Sequence, residues 1–375
     1  MFGRRFLPIL WVFLLFIYPG HTTTLCQGEK AQGEQTATDE GSSGQKSDLD
    51  FSGVVPAKFS RPIKPDSDPE IQKLLKLYDN KPEDFPFEAT LKKSEEYYDC
   101  FDVRFPSPYK SPYKENNTVW CEYYRNKATD KRPAVIVLHI LDGNFVESRI
   151  LCHALARNGC HAIMVKMAYY GERRPKDSNV RAALTNNADT MMKGLIQTVQ
   201  DVRRTAAFLA AQDCVDAQRI GICGISLGAF VTGLTTGIDG NFPRAVMILG
   251  GGDPAGMIMH GPKEIQGIAD KFKAEGYTYE KLDMKFKCVA PKTFAHRIPP
   301  GTLLMLNGLK DEVVPPENSK VFWEHTKGQR EIVWFDCTHY SAVKYIDTFA
   351  RIVNRCFGPT TWKAGEPIPA NLRMK

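Results

Sequence analysis

Arg219-Ile220-Gly221-Ile222-Cys223-Gly224-Ile225-Ser226-Leu227-Gly228-Ala229-Phe230 is the stretch that decides the fold. It reads as a short apolar strand, a tight turn and the start of a helix. Ile220 and Ile222 supply the strand, and Ala229, Phe230, Val231 and Leu234 supply the buried side of the helix. Gly224-Ile225-Ser226-Leu227-Gly228 fits G-x-S-x-G. A serine raised on a sharp strand-to-helix turn sits in strained backbone, and side chains two residues either side would collide. Glycine at both positions removes the collision. The helix start then presents free N–H groups to any negative charge forming at Ser226. A glycine-rich turn with a capping serine would carry the same letters, so the surrounding chain has to decide.

With Val215-Asp216-Ala217-Gln218-Arg219-Ile220-Gly221 leading into it, this motif resembles the α/β-hydrolase superfamily, in particular the bacterial branch of dienelactone hydrolases and acetyl-xylan esterases. The resemblance spans roughly residues 90–358. It implies an α/β fold with a mostly parallel eight-stranded sheet, helices on both faces and a cap insertion, and a serine esterase activity.

The residues outward from the elbow agree with that fold. Two strands, Tyr97–Phe105 and Thr118–Tyr124, flank a Pro-rich connection and form an antiparallel edge. Apolar strands follow at Ala134–His139, His161–Met167, Ala245–Leu249, Thr302–Leu306 and Glu331–Phe335. Between them lie helical patterns: 150–156, a long stripe over 181–211, 315–326 and 341–355. Strand and helix alternate, as a parallel sheet covered on both faces requires. Residues 254–300 break the alternation and are read as a cap, with Met257, Ile258, Met259, Ile265 and Ile268 facing an acyl pocket.

At the amino terminus, Arg4-Arg5 precede an apolar run from Phe6 to Tyr18, the pattern of a cleaved secretory signal. Residues 1–26 are assigned to that signal, 27–68 to a disordered linker and 69–375 to the catalytic domain. The protein is therefore expected to be secreted or periplasmic, without stable membrane insertion. The chain has 375 residues and a formal charge of +6, scattered and too small to argue for nucleic acid. Ten cysteines fit an oxidising compartment, and Cys100 and Cys121 are candidates for a cross-strand bridge. Asn116-Asn117-Thr118 matches a glycosylation acceptor, a motif common by chance.

A nucleophilic serine needs a base, and the base an orienting acid. In this fold they follow in the order Ser, acid, His. His339 follows the last strand, and Asp311 follows Thr302–Leu306 in a loop resembling the family's G-x-x-D-x-x-V-P. Thr338 departs from the glycine that commonly precedes the histidine. Glu312, Asp336 and Asp253 are rival acids, Asp253 because some members carry the acid one strand earlier. The oxyanion hole is expected at the N–H of Leu227 and a second N–H in the loop Ile140-Leu141-Asp142-Gly143, at Leu141 or its neighbour Ile140. The loop lacks the H-G-G-G run of hormone-sensitive lipases. Tyr169-Tyr170-Gly171-Glu172-Arg173-Arg174-Pro175 resembles a signature in a subset of α/β-hydrolases. There Tyr170 walls the substrate pocket and Arg173 holds an anionic or hydroxyl-rich substrate, or both simply pack and pair structurally. The histidines and cysteines lack zinc-site spacing, and the chemistry needs no cofactor. The expected substrate is a small-molecule or polysaccharide ester. A lipid or thioester hydrolase, a prolyl-oligopeptidase-like peptidase and a non-catalytic binding protein on the same fold are the alternatives.

Overall fold

Ten strands form one sheet in the computed structural model, which describes residues 47–141, 145–176, 187–261, 265–328, 330–363 and 365–368. The expected signal, residues 1–26, lies outside the described residues, as do the first part of the linker and residues 181–186 of the long helical stripe. No helix among the described residues is long and apolar enough to cross a membrane.

The strands are β1 (Phe51–Val55), β2 (Phe85–Ser94), β3 (Tyr98–Pro106), β4 (Thr118–Asn126), β5 (Arg132–Leu138), β6 (His161–Lys166), β7 (Val215–Ile225), β8 (Ala245–Ile248), β9 (Leu303–Gly308) and β10 (Glu331–Phe335). Their order is β1-β2-β3-β4-β6-β5-β7-β8-β9-β10. The pairs from β1 through β4 to β6 are antiparallel, and every pair from β6 onward is parallel.

Two strands go beyond the eight expected. β2 buries Phe85, Phe87 and Ala89 at every second residue and turns Glu88 and Thr90 outward, a half-buried strand by its period. β1 lies inside the stretch 27–68 expected to be linker. It pairs with β2, buries Val55 and packs Phe51 against Phe87 and Phe101, which suffices to order an otherwise polar segment. Cys100 faces Tyr124 across the β3–β4 ladder and Cys121 faces Val103, so the two thiols are out of register and both are free.

The helices are α1 (Pro69–Leu75), α2 (Val146–Arg157), α3 (Ala188–Ala210), α4 (Leu227–Asp239), α5 (Pro254–His260), α6 (Gln266–Ala274), α7 (Tyr279–Phe286), α8 (Pro291–Phe294), α9 (Pro316–His325) and α10 (Ile346–Phe357). From β5 the chain crosses through α2 to β6 on one side, then through α3 back past β5 to β7 on the other. Right-handed crossovers in opposite directions put α2 and α3 on opposite faces. α10 packs beside α2, and α4 beside α3. The reversal of order at β5 opens a crevice beyond the carboxyl ends of β5 and β7, where sites form in open α/β sheets.

Helices α5–α8 build the cap between β8 and β9. Ile258 and Met259 are buried. They join a second apolar core with Ile71 and Leu75 of α1, Met191 and Val199 of α3, and Phe272 and Phe286 of the cap. The cap is thus bolted to α1 and α3 by its own hydrophobic core, and α1 is part of that core.

Candidate active site

β7 delivers Ser226 with φ 53° and ψ −113°, a backbone conformation that ordinary residues avoid. The elbow is closed by contact. A Cβ on Gly224 would stand 2.2 Å from the Gly228 carbonyl oxygen, and one on Gly228 would stand 2.3 Å from the Leu138 carbonyl oxygen. The motif's two glycines are therefore the price of bringing three backbone segments together at the end of β5 and β7.

His339 lies after β10 and Asp311 after β9. The Nε2 of His339 is 3.0 Å from Ser226 Oγ, and its Nδ1 is 2.9 and 3.0 Å from the two Asp311 carboxylate oxygens. Asp311 is 4% exposed, and its Oδ1 also accepts the N–H groups of Val313 and Val314. The rival acids are engaged elsewhere. Asp253 caps α5 at Gly256 N–H and accepts from Tyr279 and Lys292. Asp336 is exposed and pairs with Lys310. Glu312 accepts the backbone N–H of His339, not its ring.

Leu227 begins α4, so its N–H has no intrahelical acceptor. Leu141 lies half-buried at the end of β5, while Asp142 and Gly143 lie outside the described residues. A residue not singled out in the sequence organises this loop. His139 is fully buried, and its Nε2 accepts the Met167 N–H at 3.0 Å. The Nδ1 is then the protonated nitrogen, and it donates to the Ile140 carbonyl at 2.6 Å. Across a trans peptide the N–H of Leu141 points opposite to that carbonyl, away from the ring of His139. Phe145 and Tyr170 pack edge-on against the same imidazole. The signal available in the sequence was a histidine closing an otherwise apolar strand.

Burial pushes His139 down from 6.5 to about 4. It does the same to His161, whose Nδ1 accepts from Asn126 N–H and whose Nε2 donates to the Cys214 carbonyl. Both rings fit neutral. A folded value below the unfolded one means that the unfolded chain binds more protons between pH 6.5 and 4, so stability is full above pH 6.5 and is lost as pH falls toward 4. At 1.36 kcal/mol per unit, each ring accounts for up to about 3 kcal/mol. The melting temperature is expected to fall over that interval, with a shallower fall in His161→Gln. A flat profile in the parent protein from pH 6.5 to 4 would contradict it.

Tyr170 lines a crevice beside the elbow together with Met167 and Ala168 of its own loop, Met191, Gly194, Leu195 and Thr198 of α3, and Leu227. The void is about 10 Å³, room for about one water. Arg173 is corrected from its expected substrate-binding role. Its side chain has no exposure. The guanidinium donates to the Lys166 and Asn116 carbonyls and pairs at 2.6 Å with buried Asp201. Breaking such a pair costs about 3–5 kcal/mol, which makes Arg173 a support for the Tyr170 loop. Asn116, the first residue of the glycosylation motif, is likewise fully buried. Its side chain donates to Gln197 and accepts from Tyr169 N–H.

The model of the family described as alpha/beta hydrolase domain containing 18 matches residues 68–250, and that of the prolyl oligopeptidase family matches residues 190–336. No curated protein matches the chain. Among solved structures, acetyl xylan esterase 1 from Thermoanaerobacterium sp. JW/SL YS485 is similar with a TM-score of 0.61 at 16% identity, over 82% of this chain and 98% of that one. An acetyl xylan esterase from Paenibacillus sp. R4 gives 0.61 and 16%, over 80% and 97%. An acylaminoacyl peptidase from Pyrococcus horikoshii gives 0.55 and 15%, over 76% of this chain and 48% of that one. At such identities the likeness is one of fold.

Proposed function

We propose that the chain is a serine esterase of the α/β-hydrolase superfamily, cleaving short acyl groups from alcohols, a reading supported by the two family models it matches and by the fold it shares with the esterases. The observation that carries the proposal is the unbroken chain of hydrogen-bond distances from Ser226 through His339 to Asp311. His339 takes the Ser226 proton as Oγ attacks the ester carbonyl carbon. The oxyanion meets the N–H groups of Leu227 and Leu141, the second aimed by His139. Collapse breaks the carbonyl–alkoxy bond, and His339 returns the proton to the leaving alcohol. Water then attacks the acyl-enzyme by the same base and releases the acid.

Stoichiometric labelling of Ser226 by a fluorophosphonate, together with turnover of p-nitrophenyl acetate, is the expected result. No label and no turnover would leave the non-catalytic reading. The match to the prolyl oligopeptidase family over residues 190–336 favours a peptidase as the second reading, to be tested with an acyl-peptide anilide. Export belongs to the proposal as well. It rests on Arg4-Arg5 and the apolar run behind them, and amino-terminal sequencing of protein recovered outside the cell tests it.

The small crevice favours acetyl over longer acyl groups, with Met191 as its limit. Met191→Ala is expected to improve kcat/KM for a butyryl ester over an acetyl ester by about tenfold, the scale of one or two methylenes accommodated in a pocket. An unchanged acyl profile across p-nitrophenyl esters would mean that acyl length is set elsewhere.

A further inference from the structure

A second cavity lies further along α3, beyond the crevice. Arg203 and Arg204 of α3, Arg61 of the segment after β1, and Lys81 and Glu83 of the loop before β2 line it. Arg204 follows Leu195 of the crevice by nine residues, about 13 Å along the helix. The void is about 40 Å³, room for about three waters. Charge is out of balance there. The side chains of Arg61, Arg203 and Arg204 are only 14%, 6% and 8% exposed. Arg61 and Arg203 share one carboxylate, that of fully buried Asp239. Arg204 pairs with Glu83, whose own side chain stands largely in solvent. Lys81 has no side-chain partner among the described residues. Asp79 and Asp84 flank the same loop but do not line the cavity, and Asp84 accepts the Ala57 N–H instead. Four cations therefore meet two carboxylates. Donors remain as well. Arg61 binds Asp239 through Nε and Nη2 and leaves Nη1 without an acceptor. Arg203 sets Nη1 on the Tyr78 carbonyl and Nη2 on the Arg61 carbonyl, so each nitrogen keeps a second N–H. The Asn80 amide, also on the wall, has no partner among the described residues.

We propose that this cavity is a binding site for a phosphate group, separate from the triad. Like charges held at low exposure repel strongly, and an anion between them removes the repulsion. A guanidinium presents paired N–H groups that match the oxygens of phosphate, and an ammonium adds a point charge. Space for about three waters takes three phosphate oxygens, with the fourth left in solvent. The bound group ties the segment after β1, the loop before β2 and α3 to one another. The fourth oxygen admits either free phosphate or a phosphate monoester, two sources of the same chemistry.

The test titrates the full chain with inorganic phosphate at constant ionic strength. Calorimetry is expected to give one site with a dissociation constant of about 1 mM. Replacing chloride by about 20 mM phosphate should then raise the melting temperature by about 3 °C. Lys81→Glu is expected to weaken phosphate by at least about tenfold, the scale of one charged hydrogen bond. Lys81 is exposed and unpaired, so the variant should fold as the parent does. Lys320→Glu, the same change of charge on the exposed face of α9, should bind as the parent does. The general stabilisation that phosphate gives any protein would lift all three melting temperatures alike. Ribose 5-phosphate separates the sources. Tighter binding than inorganic phosphate assigns the site to a monoester, and equal or weaker binding assigns it to the free ion. No saturable binding in the parent overturns the site, as does equal affinity in the parent and Lys81→Glu, or an equal loss in both charge variants. None of these readings depends on ester hydrolysis, so the site stands or falls apart from the esterase reading.

Discussion

Ser226→Ala is expected to lower kcat for ester hydrolysis by at least about 10⁴-fold with the melting temperature unchanged. The size follows from the arrangement. Oγ is the atom that His339 Nε2 faces at 3.0 Å, and without it no covalent intermediate forms. Residual turnover would come from the oxyanion donors and binding alone, and losses of one triad member usually run at this scale or above. Stability should be spared because the strain at residue 226 lies in the backbone, held by Ser226 N–H bonded to the Ile248 carbonyl and by the close approach of Gly224 and Gly228. Alanine can adopt the same turn at similar cost. A variant keeping more than about a hundredth of parental kcat with unchanged folding would show that Ser226 is not the nucleophile.

Much of this was legible because local chemistry wrote it. Gly224 is dictated by the Gly228 carbonyl within its own turn, whereas Gly228 answers to the Leu138 carbonyl on β5. Fully buried parallel strands such as β6 and β9 read as continuous apolar runs. Asp311 was locatable because it follows β9, and His339 because it follows the half-buried, largely apolar β10. What escaped depended on partners far along the chain. Arg173 looks like a surface cation until Asp201, 28 residues on, is folded against it. Asn116 looks like a glycan acceptor until Gln197 and Tyr169 close around it. Met259 reads as a pocket residue by its place in a cap, and it is buried in the apolar core that the cap shares with α1 and α3, residues far from it in the chain. β2 carried an alternation of Phe85, Phe87 and Ala89 that was readable, obscured by Pro86 and the lysines at its end.

Asp311→Asn is expected to cost about 10⁴-fold in kcat, while Asp253→Asn and Asp336→Asn cost little. The acid's work is to hold the His339 ring with Nδ1 protonated, so that Nε2 is free to take the serine proton, and to stabilise the imidazolium that follows. Asp311 does this with both carboxylate oxygens near Nδ1, and its own orientation is locked by the N–H groups of Val313 and Val314. An asparagine keeps the shape and can turn its NH₂ toward Nδ1, favouring the tautomer with the proton on Nε2, which cannot serve as base. Asp253 stands at the end of β8 and is nearly as buried, but its charge is spent on Tyr279, Lys292 and the α5 amino terminus. Its loss should loosen the cap and lower the melting temperature without a comparable effect on kcat. Measuring kcat and thermal stability on the three variants separates the roles. A larger kcat loss in Asp253→Asn than in Asp311→Asn would move the acid one strand earlier and contradict the geometry around His339.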